Sequence, residues 1–188
     1  MTLRQVGRAA LLLGVSWFAV ATTTSALPND QTPDLTSLSD VDVNTIVIHM
    51  ERMGCYGTCP AYTVAIHGDG RVEYSGKNHV KEKSAREGRV ETAAIKTLLS
   101  EFARTKFLSL PEEYAEEKCR RYCTDMATVV TELTVKGKTY RVKHYYGCAA
   151  WPREFLDLES AIDRAANTQQ WTGDVSKAGP FGTTCWGG

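Results

Sequence analysis

Two cysteines four positions apart in "MGCYGTCP" (53–60) raise the first chemical question of this chain. Cys55 and Cys59 enclose Tyr56, Gly57 and Thr58, and Pro60 follows at once. The same C-x3-C spacing recurs at Cys119 and Cys123, and Cys148 and Cys185 complete a set of six. Three chemistries use sulfurs so arranged. Thiol–disulfide exchange needs a thiolate whose pKa is lowered by a helix N-terminus or a neighbouring cation. Three residues intervene here, and Pro60 leads into "AYTVAI", whose alternation is that of a strand. The helix dipole is therefore missing, and Arg52 is the cation at hand. Structural zinc takes four thiolates at this kind of spacing, so Cys55, Cys59, Cys119 and Cys123 could close a tetrahedral site. That would leave Cys148 and Cys185 without a role. The third use is covalent stapling.

The compartment separates these chemistries. Arg4 and Arg8 precede an uncharged apolar run, "AALLLGVSWFAVA" (9–21), and the small residues "TTTSA" (22–26) follow. This is the pattern of a secretory signal peptide, cleaved after Ala26; the run falls short of the roughly 20 residues a bilayer-spanning helix needs. No cysteine precedes Cys55, so no lipid-modified N-terminal cysteine is available. The expected location is periplasmic or secreted, with no membrane span after cleavage. Six cysteines in an exported chain imply disulfides. A 55–59 bridge would stabilise by about 2 kcal/mol and a 148–185 bridge by about 4 kcal/mol on the chain-entropy estimate. Six cysteines allow 15 connectivities. Neighbour-to-neighbour pairing is the favoured one, and its main competitor joins the two C-x3-C loops.

Other signatures are absent. There is no G-x-S-x-G elbow, no H-E-x-x-H and no glycine-rich phosphate loop. His49, His67, His79 and His144 show no paired ligand spacing, so no metal, catalytic or cofactor-binding set is assigned. The whole chain is neutral; removing residues 1–26 takes away two arginines and no acid, leaving a net charge of −2. A near-neutral chain without a basic patch argues against nucleic acid as partner. An envelope protein or a small ligand remains as the partner class, with Tyr145, Tyr146 and Trp151 forming either an aromatic rim or core.

The elements that would position these residues follow from periodicity. Residues 27–44 are polar and acidic and read as a flexible leader. "TIVIHMER" (45–52) reads as a strand with Ile46, Ile48 and Met50 on one face. "AYTVAIHGDGRVEYSG" (61–76) is a hairpin: Tyr62, Val64 and Ile66 alternate inward, "GDG" makes the turn, and Val72 and Tyr74 continue the buried face. Asp69 is a turn residue, as is Asp125. The charged run 77–89 is a solvated edge strand or loop. Ile95, Leu98, Leu99 and Phe102 mark an amphipathic helix over 91–105. A charged loop (112–125) leads to a second hairpin, "ATVVTELTV" and "TYRVKHYY" about "KGK". Phe155, Leu158, Ile162 and Ala165 stripe a second helix opened by Pro152. The fold class is α+β: an antiparallel sheet of about five strands with two helices on one face. The domain spans 45–168, and a glycine-rich tail, 169–188, is expected to be irregular.

The stretch "CYGTCPAYTVAIHGDGRVEYSG" (55–76) resembles the DUF6438 domain of exported bacterial proteins. Cys55, Gly57, Cys59, Pro60, Tyr62, Asp69, Gly70 and Tyr74 match its C-x-G-x-C-P motif, the aromatic after it and the glycine-bounded hairpin. The later hairpin and the "PREFLDLESAID" helix are similar to that family as well, so the likeness covers approximately 45–165. It implies a bacterial envelope or secreted location and supplies no activity. The combined expectation is an exported, disulfide-stapled, non-catalytic binding or envelope module. The alternatives are a thiol–disulfide oxidoreductase using Cys55 and Cys59, or an exported zinc-binding domain. Mass spectrometry of protein from its native host should show an N-terminus near Leu27; an intact Met1 on cytosolic protein would contradict this and remove the basis for the disulfides.

Overall fold

The computed structural model describes Leu38 and residues 41–114 and 116–173. The expected signal peptide, most of the expected leader, and the tail beyond Gly173 with Cys185 lie outside the described residues. Six strands form one antiparallel sheet: β1 (Val47–Arg52), β2 (Ala61–His67), β3 (Arg71–Asn78), β4 (Ala85–Arg89), β5 (Thr128–Val135) and β6 (Lys138–Tyr145). Their spatial order is β4-β3-β2-β1-β5-β6, so the first strand in sequence lies inside the sheet. The turns do what their residues allow. Gly70 adopts φ +86° in the β2–β3 turn, and a Cβ there would meet the Val90 carbonyl oxygen at 2.6 Å. The β5–β6 turn places Lys136 and Gly137 both at positive φ, the requirement of a tight two-residue hairpin.

Two helices, α1 (Thr92–Arg104) and α2 (Arg153–Ala166), cover one face. Alternation along each strand aims Ile48, Met50, Val64, Ile66, Val72, Leu133 and Val142 at them, all 1% exposed or less. The helices return Ile95, Leu98, Phe102, Phe155, Leu158 and Ile162, at most 2% exposed. Fully burying one such side chain is worth about 1.5–3 kcal/mol, so this interface holds the layers together. Phe107, just past α1, meets Phe102 edge-on at 4.9 Å and stacks on Phe155 at 6.0 Å, which locks the two helices to each other. The opposite face is solvated. Glu132 sits between His49 at 3.4 Å and Arg141 at 3.3 Å, and Glu73 lies 3.4 Å from His67. Such half-exposed pairs contribute little to stability.

The charged run 77–89, expected as a solvated edge strand or loop, is the edge strand: β4 pairs with β3 from Arg71↔Arg89 to Ser75↔Ala85 and brings the sheet to six strands. Its side chains are mostly exposed, as an edge allows. Two features differ from the expectation. The leader is not uniformly loose: Leu38 and Val41 are buried, and Asp42 caps a short 3-10 turn by accepting the Asn44 amide at 3.0 Å. The presumed irregular tail opens with a one-turn helix, α3 (Gln169–Thr172). Its Trp171 stacks on Tyr74 at 5.0 Å and covers Gly88, where a Cβ would meet the indole at 3.0 Å.

Candidate functional site

The residues that could bear chemistry converge at one end of the sheet, where β1 and β6 end and β2 and β5 begin. They fall into two groups, one inside and one outside. The inner group centres on Arg52, the last residue of β1, which is 5% exposed. Alternation turns its side chain to the helix-covered face, where a bare guanidinium would be very costly. Helix α2 supplies the anions. Glu159 and Asp163 lie one turn apart, and Glu159 follows Phe155 by the same interval, so all three share its inward face. Asp163 Oδ2 accepts Arg52 Nε at 3.0 Å and Nη2 at 2.7 Å. Its Oδ1 accepts the Tyr62 hydroxyl at 2.6 Å and the Thr168 hydroxyl at 3.0 Å. Glu159 is wholly buried. Its Oε2 accepts Tyr146 at 2.7 Å and lies 3.8 Å from Arg52 Nη1, while Oε1 meets His144 Nδ1 at 2.8 Å. The Tyr62 hydroxyl also accepts from Arg52 Nε, at 3.1 Å.

Burial alone would lower the Arg52 pKa, but Asp163, Tyr146, Tyr62 and Glu159 together drive it well above its ordinary value. Tyr62 and Tyr146 are pushed far up, first by burial and then by their carboxylates, against the opposing pull of Arg52. Tyr74 rises to about 12, by burial and the nearness of Glu82 and Asp163. Each phenol thus stays a donor. All four carboxylate oxygens are occupied from within the domain, and a general base needs an oxygen within reach of a substrate proton. Two recesses lie beside α1. The cluster is a buried polar clamp between sheet and helix.

The outer group is the pair of loops beyond the clamp. Cys55 and Cys59 are bonded to each other, with Cα atoms 5.6 Å apart. Gly57 takes φ +152° between them, donating to the Cys55 carbonyl at 2.9 Å. Cys59 and Pro60 are buried, whereas Tyr56 is 90% exposed. This loop is laced to the segment before β5: Met53 N–H donates to Thr128 O at 2.8 Å and Tyr56 N–H to Asp125 O at 3.0 Å. Cys119 pairs with Cys148, which corrects neighbour-to-neighbour pairing for both. Cys123 is likewise disulfide-bonded. Spacing could not reveal this. The 119–126 segment runs beside the end of β6, with Cys123 N–H donating to Gly147 O at 2.9 Å and Ala149 N–H to Arg121 O at 2.9 Å. That brings position 148, not 123, to Cys119.

These placements bear on the alternatives. Arg52, the cation a reactive thiolate would need, is engaged by the clamp, and β2 follows Pro60 where a redox motif would want a helix. The sulfurs a zinc site would need are tied up in S–S bonds, and among the described residues no three His, Cys, Asp or Glu side chains gather to hold a metal. Asp69 is a turn residue: its Oδ1 accepts the Arg71 amide at 2.9 Å, and that bond lowers its pKa. Tyr62 and Tyr74 serve the interior, with rings 5.5 Å apart. Tyr145, Tyr146 and Trp151 do not form a rim. Tyr145 donates to Cys123 O at 2.7 Å, and the rings of Tyr146 and Trp151 pack on His144 at 4.4 and 5.0 Å. Glu159 and Asp163 escaped sequence reasoning; their signal was acidic residues at i+4 and i+8 from Phe155, on an apolar stripe.

Replacing Arg52 by Met should cost about 3–5 kcal/mol in urea unfolding, because it strands the buried Glu159 carboxylate and the partly buried Asp163. Arg104→Gln, which breaks an exposed pair with Glu101, should leave the midpoint almost unchanged. The raised phenols also fix an alkaline limit. Unfolded tyrosines lose protons above about pH 10 while Tyr62 and Tyr146 keep theirs, so the unfolded state binds fewer protons and stability falls as pH rises. The expected slope is about 1.4 kcal/mol per pH unit for each phenol, and Tyr62→Phe with Tyr146→Phe should flatten it. A slope unaffected by that double substitution would contradict the assignment.

The family model described as a domain of unknown function, DUF6438, matches residues 46–166. That span runs from the residue before β1 to the last residue of α2 and contains Arg52, Tyr62, His144, Tyr146, Glu159 and Asp163. No curated protein matches the chain. This protein, clamp and disulfide loop included, belongs to the DUF6438 family.

Proposed function

We propose that the protein is an exported, disulfide-stapled, non-catalytic binding module of the bacterial envelope or extracellular space. Its contact surface is the end of the sheet that carries the two cysteine loops. One observation supports this above the rest: the charged and hydrogen-bonding groups that could do chemistry are consumed inside the domain, while large apolar side chains stand out on the stapled loops. Met53 is 38% exposed, Tyr56 90% and Tyr122 43%, and these are the exposed large hydrophobics among the described residues. The loops that bear them adjoin through the bonds from Met53 and Tyr56 to Thr128 and Asp125.

A disulfide holds Tyr56 in place before any partner arrives, so little ordering entropy is lost on contact. Tyrosine is also among the residues that most often carry binding energy at interfaces. A ring this exposed suits a pocket on a macromolecule better than it suits enclosure of a small ligand. The partner is therefore a protein of the same compartment. No helix among the described residues is long and apolar enough to cross a membrane.

The test is a photo-crosslinking amino acid placed at Tyr56 in the native host, with the same group at exposed Lys96 on α1 as control. A discrete adduct from position 56 and none from 96 is expected. Once that partner is identified, Tyr56→Ala should weaken binding about 10-fold or more with an unchanged melting temperature. No adduct from either position, or the same adducts from both, would overturn the assignment of this surface.

A further inference from the structure

We propose that Met53 is a reversible oxidation site, and that its sulfoxide switches off the contact surface it forms with Tyr56 and Tyr122. The chain has four methionines: Met1, Met50, Met53 and Met126. Met1 lies outside the described residues. Met50 is 0% exposed and Met126 is half-buried, whereas Met53 is 38% exposed. A thiolate would take an oxidant ahead of a thioether, but no cysteine among the described residues is free. The thioether of Met53 is therefore the most accessible reduced sulfur among them.

Its position gives the modification a consequence. Met53 directly follows β1, and its N–H donates to Thr128 O at 2.8 Å. The Tyr56 N–H donates to Asp125 O at 3.0 Å. Both bonds reach the segment that leads from Tyr122 into β5. The exposed sulfur thus stands on two adjoining loops with the two exposed phenols, held by main-chain bonds and the 55–59 bridge. A thioether suits such a surface, being apolar, flexible and polarisable, and it packs well on aromatic or irregular apolar partners. A sulfoxide puts a strong acceptor on the same atom, and burying that acceptor without a donor is unfavourable. The fold does not feel the change. Met53 is outside the hydrophobic core, and the bond that anchors it is made by its backbone.

The oxidant is a peroxide. The sulfur gives an electron pair to one peroxide oxygen, the S–O bond forms, the O–O bond breaks, and the other oxygen leaves as water once protonated. In the return step two thiols of a reductase give two electrons and two protons, the S–O bond breaks, the oxygen leaves as water, and the thiols become a disulfide. The oxidation site follows from exposure; its effect on contact rests on the surface proposed above.

The first test treats the purified protein with hydrogen peroxide. Trypsin puts the three methionines on separate peptides, with Met50 before the cut at Arg52, Met53 in 53–71 and Met126 in 122–136. The 53–71 peptide should gain one oxygen atom several-fold faster than either of the others, with the melting temperature unchanged. Methionine sulfoxide reductase with dithiothreitol should remove that oxygen. Oxidation of Met50 or Met126 as fast as Met53, or a melting temperature that falls as Met53 is oxidised, would overturn the site. The switch is read in the native host from the photo-crosslinker at position 56. Peroxide should lower its adduct about 5-fold or more. Met53→Leu should keep the adduct under peroxide, and Met53→Gln should lose it without peroxide. An equal loss in Met53→Leu, or an undiminished adduct from Met53→Gln, would overturn the switch. Absence of any adduct before peroxide would overturn the contact surface itself, and the peptide map would still decide the oxidation site.

Discussion

A guanidinium that is 5% exposed decides how this domain is assembled. Arg52 could not occupy the helix-covered face of β1 unless anions met it there, since an unpaired buried charge costs several kcal/mol. Both anions come from α2, and the phenols that complete the set come from β2 and from the residue after β6. The clamp therefore joins three strands and a helix whose pairings are far apart in sequence. Apolar packing against the sheet would tolerate some sliding of α2, because dispersion is not directional. Four occupied carboxylate oxygens tolerate very little. The clamp sets the axial position of the helix, and Phe155, Leu158 and Ile162 supply most of the energy.

The architecture was legible where a period repeated. Tyr62, Val64, Ile66, Val72 and Tyr74 alternate cleanly, and so do Val129, Leu133 and Val135. Ile95, Leu98, Leu99 and Phe102 show the helical interval without interruption. Where burial rests on single residues in irregular chain, no period exists to read. Leu38, Val41 and Trp171 are such residues, which is why the ordered end of the leader and α3 went unseen. β4 was legible only as edge strand or loop, because its exposed side chains record solvent and say little of the pairing.

The clamp was hidden by a different rule. Charged residues are read as solvated by default, and for most of this chain that is sound, as the Glu132 and Glu73 pairs on the open face show. Glu159 and Asp163 break it because each interval of four returns to the face already marked by Phe155. The disulfide connectivity had no sequence signal at all. It depends on the 119–126 segment lying beside the residues after β6, a contact made by main-chain hydrogen bonds that any side chains would permit.

The position of β1 within the sheet bears on how the chain folds. Its first neighbour, β2, begins nine residues later, but its second, β5, pairs across a wide gap, with Val47 opposite Thr134. Between the synthesis of Arg52 and that of Val135 the ribosome adds 83 residues, which takes roughly 4–17 s at ordinary elongation rates. Through that interval β1 can lean on β2 along one edge only, with the α2 half of its helical cover missing and Arg52 without its counter-ions. Contacts so distant in sequence also slow folding once the chain is complete. The strand at the heart of the mature sheet is thus its longest-exposed edge during biogenesis, and the nascent chain stays unable to close its core until its second half has emerged.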